Sequence, residues 1–238
     1  GPTRSGIPIG DLGGGIFGAL GVLAAIAERD RTGVGQHVDV SMLDVQISLL
    51  NYMATMYLMS GIVPEGIGNG HFVHVPYNSY PTSDGHIIIA CIGDPFFVRF
   101  VDCIGIDELR DPEYRKQPVR FAVKAQIDAL VSAKLRENTT AYWLKLLSEA
   151  RIPCGPVNNF AQALSDPQVV ARDMVADVIM PDGERLRMPG NPVKLSAAKS
   201  KTFTAPPTLG AQTEAVLGAE LGYSEQRLQE LRSSGAIA

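Results

Sequence analysis

Asp11 is the acidic residue with the most unusual surroundings in the sequence. It stands between Gly10 and Leu12-Gly13-Gly14-Gly15, at the head of an apolar run. A carboxylate there can accept the free N–H groups of a helix N-terminus, and the positive end of the helix dipole favours its charge. An aspartate that only caps a helix is one reading. The glycines favour a second, because four of the six residues at 10–15 are glycine, and each costs about 1 kcal/mol inside a helix. A cap requires no such sacrifice, whereas a bulky ligand approaching the backbone would explain it.

Gly66-Ile67-Gly68-Asn69-Gly70-His71 is the loop richest in glycine. Gly68, Asn69 and Gly70 can offer backbone or amide donors to a ligand, or the loop can be a flexible inter-domain connection. His37, His71, His74 and His86 form no HExxH pattern, and the HxxH at 71–74 is a weak signal, so no metal site is expected. Cys91, Cys103 and Cys154 make no CxxC pair, which argues against a disulfide framework or zinc and for a reducing, cytoplasmic setting. Cys154, framed by Pro153 and Pro156, has no His or Asn placed to activate it and reads as a buried structural thiol. Gln36 and Asp39 read as fixing a turn and a strand. Asp44 reads as a satisfied carboxylate or a partner behind the site.

These residues need elements to hold them. Residues 12–30 read as a helix apolar nearly all round, closed by Thr32-Gly33-Val34-Gly35. His37–Val40 suits a short strand, and Ser41 a cap for a second long helix, Met42–Ser60. Tyr77–Tyr80 and His86–Cys91 read as a hairpin around Thr82-Ser83-Asp84-Gly85. Helices follow at 95–104, 122–137 and 140–150, the last with Trp143, Leu146 and Leu147 on one face. Residues 152–157 form a rigid break, Asp166-Pro167 opens a short helix, and 174–195 read as strands around 181–184. A linker near 205–210 leads to a charged helix at about 211–232.

With 238 residues and a mean hydropathy of +0.07, the chain can bury a large core. Its net charge of −4 argues against general attraction to nucleic acid or anionic membrane. Leu12–Ala27 and Val45–Val63 lack charged residues, but helices buried in a large domain explain them better than membrane spans. No signal peptide is visible, and the opening GPTRSGIPIG reads as cut from the middle of a longer chain.

Gly6–Gly15, followed by Gly18 and Gly21-Val22-Leu23-Ala24-Ala25, resembles the segment bearing the nucleophilic aspartate of class III CoA-transferases. The likeness continues through 32–44, similar to the family's TGxGQxVDVSxLD, and through Gly68-Asn69, Pro76-Tyr77, Thr82-x-Asp84-Gly85, 152–157, Asp166-Pro167-Gln168 and Ala205-Pro206-Pro207-x-Leu209-Gly210. The resemblance implies an α/β fold: an incomplete Rossmann-like large domain with the catalytic Asp at 1–70, a smaller α+β domain at 71–160, and a C-terminal segment, 161–238, returning to the large domain. It implies that Asp11 attacks an acyl-CoA and carries CoA as an aspartyl thioester to a carboxylic acid acceptor. Gly68, Asn69 and Gly70 would then belong to a loop closing over that intermediate, a short loop of the GNxH kind rather than the long glycine run of oxalate-type enzymes. Coenzyme A enters as a substrate thioester, with no permanently bound cofactor. Arg4, Lys116 and Arg120 are candidates for its phosphates, against the default of surface charge. Family members form interlocked homodimers.

Two rivals stand beside this reading. In α-methylacyl-CoA racemases of the same superfamily the equivalent aspartate moves an α-proton together with a His, which here would lie upstream of Gly1. A non-catalytic CoA-binding fragment is the rival from another class.

Overall fold

The apolar run after Asp11 lies in α1 (Ile9–Thr32) of the computed structural model, which describes residues 3–197 and 203–237. Gly33 ends α1 at φ +77°, its N–H bonded to Arg29 O at 2.7 Å, the left-handed exit that glycine adopts without a Cβ penalty. Arg29 and Arg31 sit in the last turn, at the negative end of the helix dipole.

Residues 34–40 form no helix or strand. The strand expected at His37–Val40 does not form, since no strand among the described residues pairs with it to complete a ladder. Ser41 caps α2 (Met42–Leu49), accepting the N–H of Asp44. The second helix ends earlier than its sequence suggests: Asn51 takes φ +50° and starts a separate helix, α3 (Asn51–Ser60). Asparagine is one of the few residues that visits this left-handed region readily.

Gly13 is the buried residue of α1 and Val45 that of α2, while α3 buries none. Leu23 is 64% exposed and Met59 85%. The burial expected for these helices is therefore not found, since nothing else among the described residues covers their apolar faces. By length and composition α1 could cross a membrane, with a mean hydropathy of 1.7 over an 18-residue window and 6% of that window buried.

The segment from 75 to 152 is built differently. Strands β1 (Tyr77–Pro81) and β2 (His86–Ala90) pair antiparallel, Tyr77 opposite Ala90, around the expected turn. Asp84 in that turn accepts the Thr140 N–H at 2.8 Å and its hydroxyl at 2.9 Å, tying the hairpin to the start of a later helix. Those bonds, the backbone one first, hold the Asp84 carboxyl below the usual carboxylate range. Helix α4 (Asp94–Ile104) buries Phe97, Phe100, Val101 and Ile104, the i, i+3, i+4, i+7 stripe of an amphipathic helix. Two 3₁₀ turns (107–110 and 112–115) and α5 (Gln117–Ala122) lead to α6 (Lys124–Leu135). α7 (Thr140–Glu149) buries Trp143 and Leu147. The indole N–H of Trp143 donates to Leu135 O at 2.8 Å, satisfying the one polar atom of the largest core residue.

The first of the two units into which the chain divides ends at Gly155. The rigid break at 152–157 contains a three-residue strand, β3 (Cys154–Pro156), beside β2. The second unit covers 156–238. In it, α8 (Phe160–Ser165) carries a capping box between Asn159 and Gln162, and Asp166 caps α9 (Pro167–Ala171). A hairpin, β4 (Val175–Ile179) and β5 (Arg185–Pro189), follows. The single helix expected at 211–232 is two pieces, a π-helical turn at 215–220 and α10 (Glu225–Ser233), parted at Gly222 with φ +71°. The linker expected near 205–210 carries no helix or strand.

Candidate active site

Asp11 lies within the first turn of α1 and is not its cap. The helix begins two residues earlier, so Pro8 occupies the N-cap position, where no side chain accepts a bond. The carboxylate is exposed and has no hydrogen-bond or ion-pair partner among the described residues. The capping role is thereby removed, because the N–H groups it would serve are not bonded to it. What remains is a solvent-facing carboxylate in the first turn of a 24-residue helix.

The glycines around it have a different cause from the one their spacing suggests. A Cβ on Gly13 would stand 2.9 Å from Val45 Cγ1, on Gly14 3.2 Å from Met42 Cγ, and on Gly21 2.8 Å from Val38 Cγ1. Gly10 has the Gln46 amide nitrogen 2.7 Å from the same position. These glycines let α2 and the segment before it lie directly on the α1 backbone. Gly15 and Gly18 have nothing within 4 Å, so the helix seam does not account for them.

The loop 66–71 is anchored at one end only. Gly68 holds φ +65°, and Gly68 and Asn69 are exposed. At the other end the His71 N–H donates to Tyr77 O at 2.9 Å, and its ring stacks on Phe72 and Tyr77 at 4.4 and 4.8 Å. His71 Nδ1 accepts the N–H groups of Val73 and His74 at 3.0 and 3.1 Å. A ring nitrogen accepting two donors must be unprotonated, and burial together with the neighbouring His74 lowers the His71 pKa. His71 is thus the loop clamp, while His74 Nδ1 is buried with no hydrogen-bond partner among the described residues, and no group of three or more metal-ligating side chains occurs among them.

Gly70 rests on a polar cluster that sequence reasoning missed. A Cβ there would be 2.7 Å from Lys124 Nζ. Lys124 donates to Asp128 at 2.7 Å, and Asp128 also accepts Tyr80 OH at 2.5 Å and the Asn78 amide at 3.4 Å. Burial, then the bond to Asp128, raises the Tyr80 pKa. The i, i+4 spacing of Lys124 and Asp128 was the available signal. No hydrogen bond, ion pair or ring contact joins Asp11 to this loop among the described residues.

The remaining candidates separate clearly. Arg120 is fully buried and serves neither phosphate nor surface. It donates to Val75 O at 2.8 Å, Tyr114 O at 2.6 Å, Asp94 at 2.8 Å and Gln117 at 2.6 Å, and lies 4.3 Å over the Phe97 ring. Arg4 and Lys116 are exposed. Cys154 is half-buried, 3.8 Å from Ser148 Oγ, while burial pushes the Cys91 thiol up to about 12.

A mixed α/β chain with a lone carboxylate at the head of a glycine-rich helix agrees with what its relatives are. The chain belongs to CoA-transferase family III, whose sequence model matches residues 1–213. It is 30% identical over 237 residues to the succinyl-CoA:glutarate CoA-transferase of Mus musculus, covering 99% of this chain and 54% of that protein. It is 36% identical over 197 residues to the acetyl-CoA:oxalate CoA-transferase of Acetobacter aceti, covering 82% and 49%. The chain thus spans about half the length of the curated relatives it matches. A CAIB/BAIF family protein from Brucella suis superposes with a TM-score of 0.76 at 30% identity, over 92% of this chain and 57% of that one.

Proposed function

We propose that the full-length protein is a CoA-transferase and that this chain supplies its nucleophile, Asp11. One Asp11 oxygen attacks the acyl-CoA carbonyl, the C–S bond breaks, and CoA leaves as thiolate with a mixed anhydride left on the enzyme. The thiolate then attacks the Asp11 acyl carbon, releasing the donor acid as carboxylate and leaving an aspartyl-CoA thioester. The acceptor carboxylate repeats the two steps in reverse and departs as the new acyl-CoA. Every step exchanges one activated acyl bond for another, so the thioester energy is retained.

The observation that carries this reading is the Asp11 carboxylate itself, exposed in the first turn of α1 and engaged by no side chain or backbone group among the described residues. Anhydride and thioester both hydrolyse, so the scheme requires a cover that excludes water. The exposed pair Gly68-Asn69, followed by the half-buried Gly70 and the His71 clamp, is suited to that role. The uncovered apolar faces of α1, α2 and α3 support an assembly in which further polypeptide, in an interlocked homodimer, lies over them. In this reading α1 is a packed helix of a cytoplasmic protein.

The relatives' names make dicarboxylic acids the first acceptors to assay, with succinyl-CoA as donor. With the full-length protein, mass spectrometry should detect a new acyl-CoA from at least one acid of a panel containing glutarate, oxalate and mesaconate. Asp11→Asn should lower that rate by at least about 10³-fold. Absence of any transfer across donors and acids would overturn the proposal.

A further inference from the structure

Gly70 closes the tip of the glycine-rich loop, its N–H donating to Ile67 O at 3.4 Å across a turn in which Gly68 holds φ +65°. At Gly68 the backbone conformation itself calls for glycine. Gly70 is different, because its φ lies outside the left-handed region. What it lacks is room for a side chain. A Cβ would stand 2.7 Å from Lys124 Nζ, 3.2 Å from Lys124 Cε and 3.5 Å from the Asn78 amide nitrogen. The Lys124 ammonium thus occupies the place of the missing side chain, and it is held there. It donates to Asp128 at 2.7 Å within α6, and Asp128 also accepts from Tyr80 and Asn78 of β1. The Lys124 and Asp128 side chains are 24% and 19% exposed and Tyr80 only 1%, so the ammonium is mounted on the well-packed segment.

We infer that Lys124 is a positioning residue for the turn 67–70: seated in the gap left by Gly70, it holds that turn against β1 and α6 and so limits the access of water to the covalent intermediate. Hydrolysis of that thioester would return the Asp11 carboxylate and free CoA thiol without making a new acyl-CoA. This role rests on the reading of the loop as the cover of the Asp11 intermediate, and Lys124 acts through the loop rather than on the reacting atoms.

The test uses the full-length protein with succinyl-CoA and the acid the parent prefers. Lys124→Met keeps the stem and removes the ammonium, whereas Gly70→Ala keeps the ammonium and pushes it aside. Two quantities are read: amide hydrogen exchange over 66–71, with 86–90 as the internal control, and the ratio of CoA thiol released to acyl-CoA formed. Each variant should speed exchange in the loop and not in the control strand. Each should also raise the ratio about 10-fold, the scale of losing one contact to a charged group. The double variant should show no more than the larger single effect, since both changes act through one contact. Unchanged exchange in the loop, or effects that add in the double variant, overturns the role of Lys124. Gly70→Ala decides the matter if Lys124→Met fails to fold. Faster exchange with transfer intact and an unchanged ratio overturns the loop as the cover, and leaves the chemistry at Asp11 standing.

Discussion

Helices α1–α3 and the segment 75–152 belong to one chain but obey different rules. In the segment, Tyr80, Ile87, Ile89, Phe97, Phe100, Ile127, Leu135, Trp143 and Leu147 close on one another and are nearly inaccessible. In the three helices, apolar side chains of the same types stand in solvent, and the closest contact is glycine backbone against α2. The segment carries its own hydrophobic stabilisation, while the helices present apolar faces that stabilise only when something is laid over them. The candidate nucleophile sits in the second kind of region. The proposed site thus lies on a surface whose apolar faces are uncovered among the described residues.

Paired truncations would break or sharpen this contrast most strongly. Trp143→Ala should destabilise the chain by about 3–5 kcal/mol, the usual cost of emptying an aromatic from a core. Leu23→Ala should change it by less than about 0.5 kcal/mol, since that side chain is already in water. Urea titrations of the two variants read both numbers, and equal losses would contradict the division.

The next effect is at the seam. Gly13→Ala puts a methyl 2.9 Å from Val45 Cγ1 and should cost about 1–3 kcal/mol through overpacking. Gly15→Ala meets nothing within 4 Å and should gain up to about 1 kcal/mol from helix propensity. Thermal melts that fail to separate the two would show that the glycines do not serve α2.

The smallest effect is a pH dependence of the well-packed segment. The folded Asp84 pKa is depressed by its bonds to Thr140. The linked stability is therefore present above the unfolded carboxylate value and is lost as pH falls through the lower, folded value. The Tm of Asp84→Asn should fall less steeply on acidification than that of the parent below about pH 4.

How legible each region was in the sequence follows the same contrast. The hairpin, α4 and α7 could be read because turn residues and apolar periodicity agree with burial that the segment completes by itself. The break at Asn51 was hidden, since Met42–Ser60 contains no glycine or proline and only the backbone reveals the left-handed residue. The strand at His37–Val40 was misjudged because alternation marks a strand only where a neighbour exists to pair with. Asp11 was legible as a candidate and its motif led to the correct family. The glycines beside it were ambiguous, because the absence of a side chain serves helix contact as well as ligand approach. In the cluster under Gly70 the i, i+4 pair Lys124–Asp128 could be read from spacing, but its junction with Tyr80, 48 positions from Asp128, could not, because only the tertiary fold makes it.

The central claim is that a covalent intermediate forms on Asp11, and hydroxylamine trapping tests it most directly. The full-length protein is incubated with succinyl-CoA, quenched with hydroxylamine, digested and mapped by mass spectrometry. The account predicts a hydroxamate on the peptide containing Asp11, absent from Asp11→Asn. A hydroxamate on another residue, or efficient transfer with none on any peptide, would contradict it.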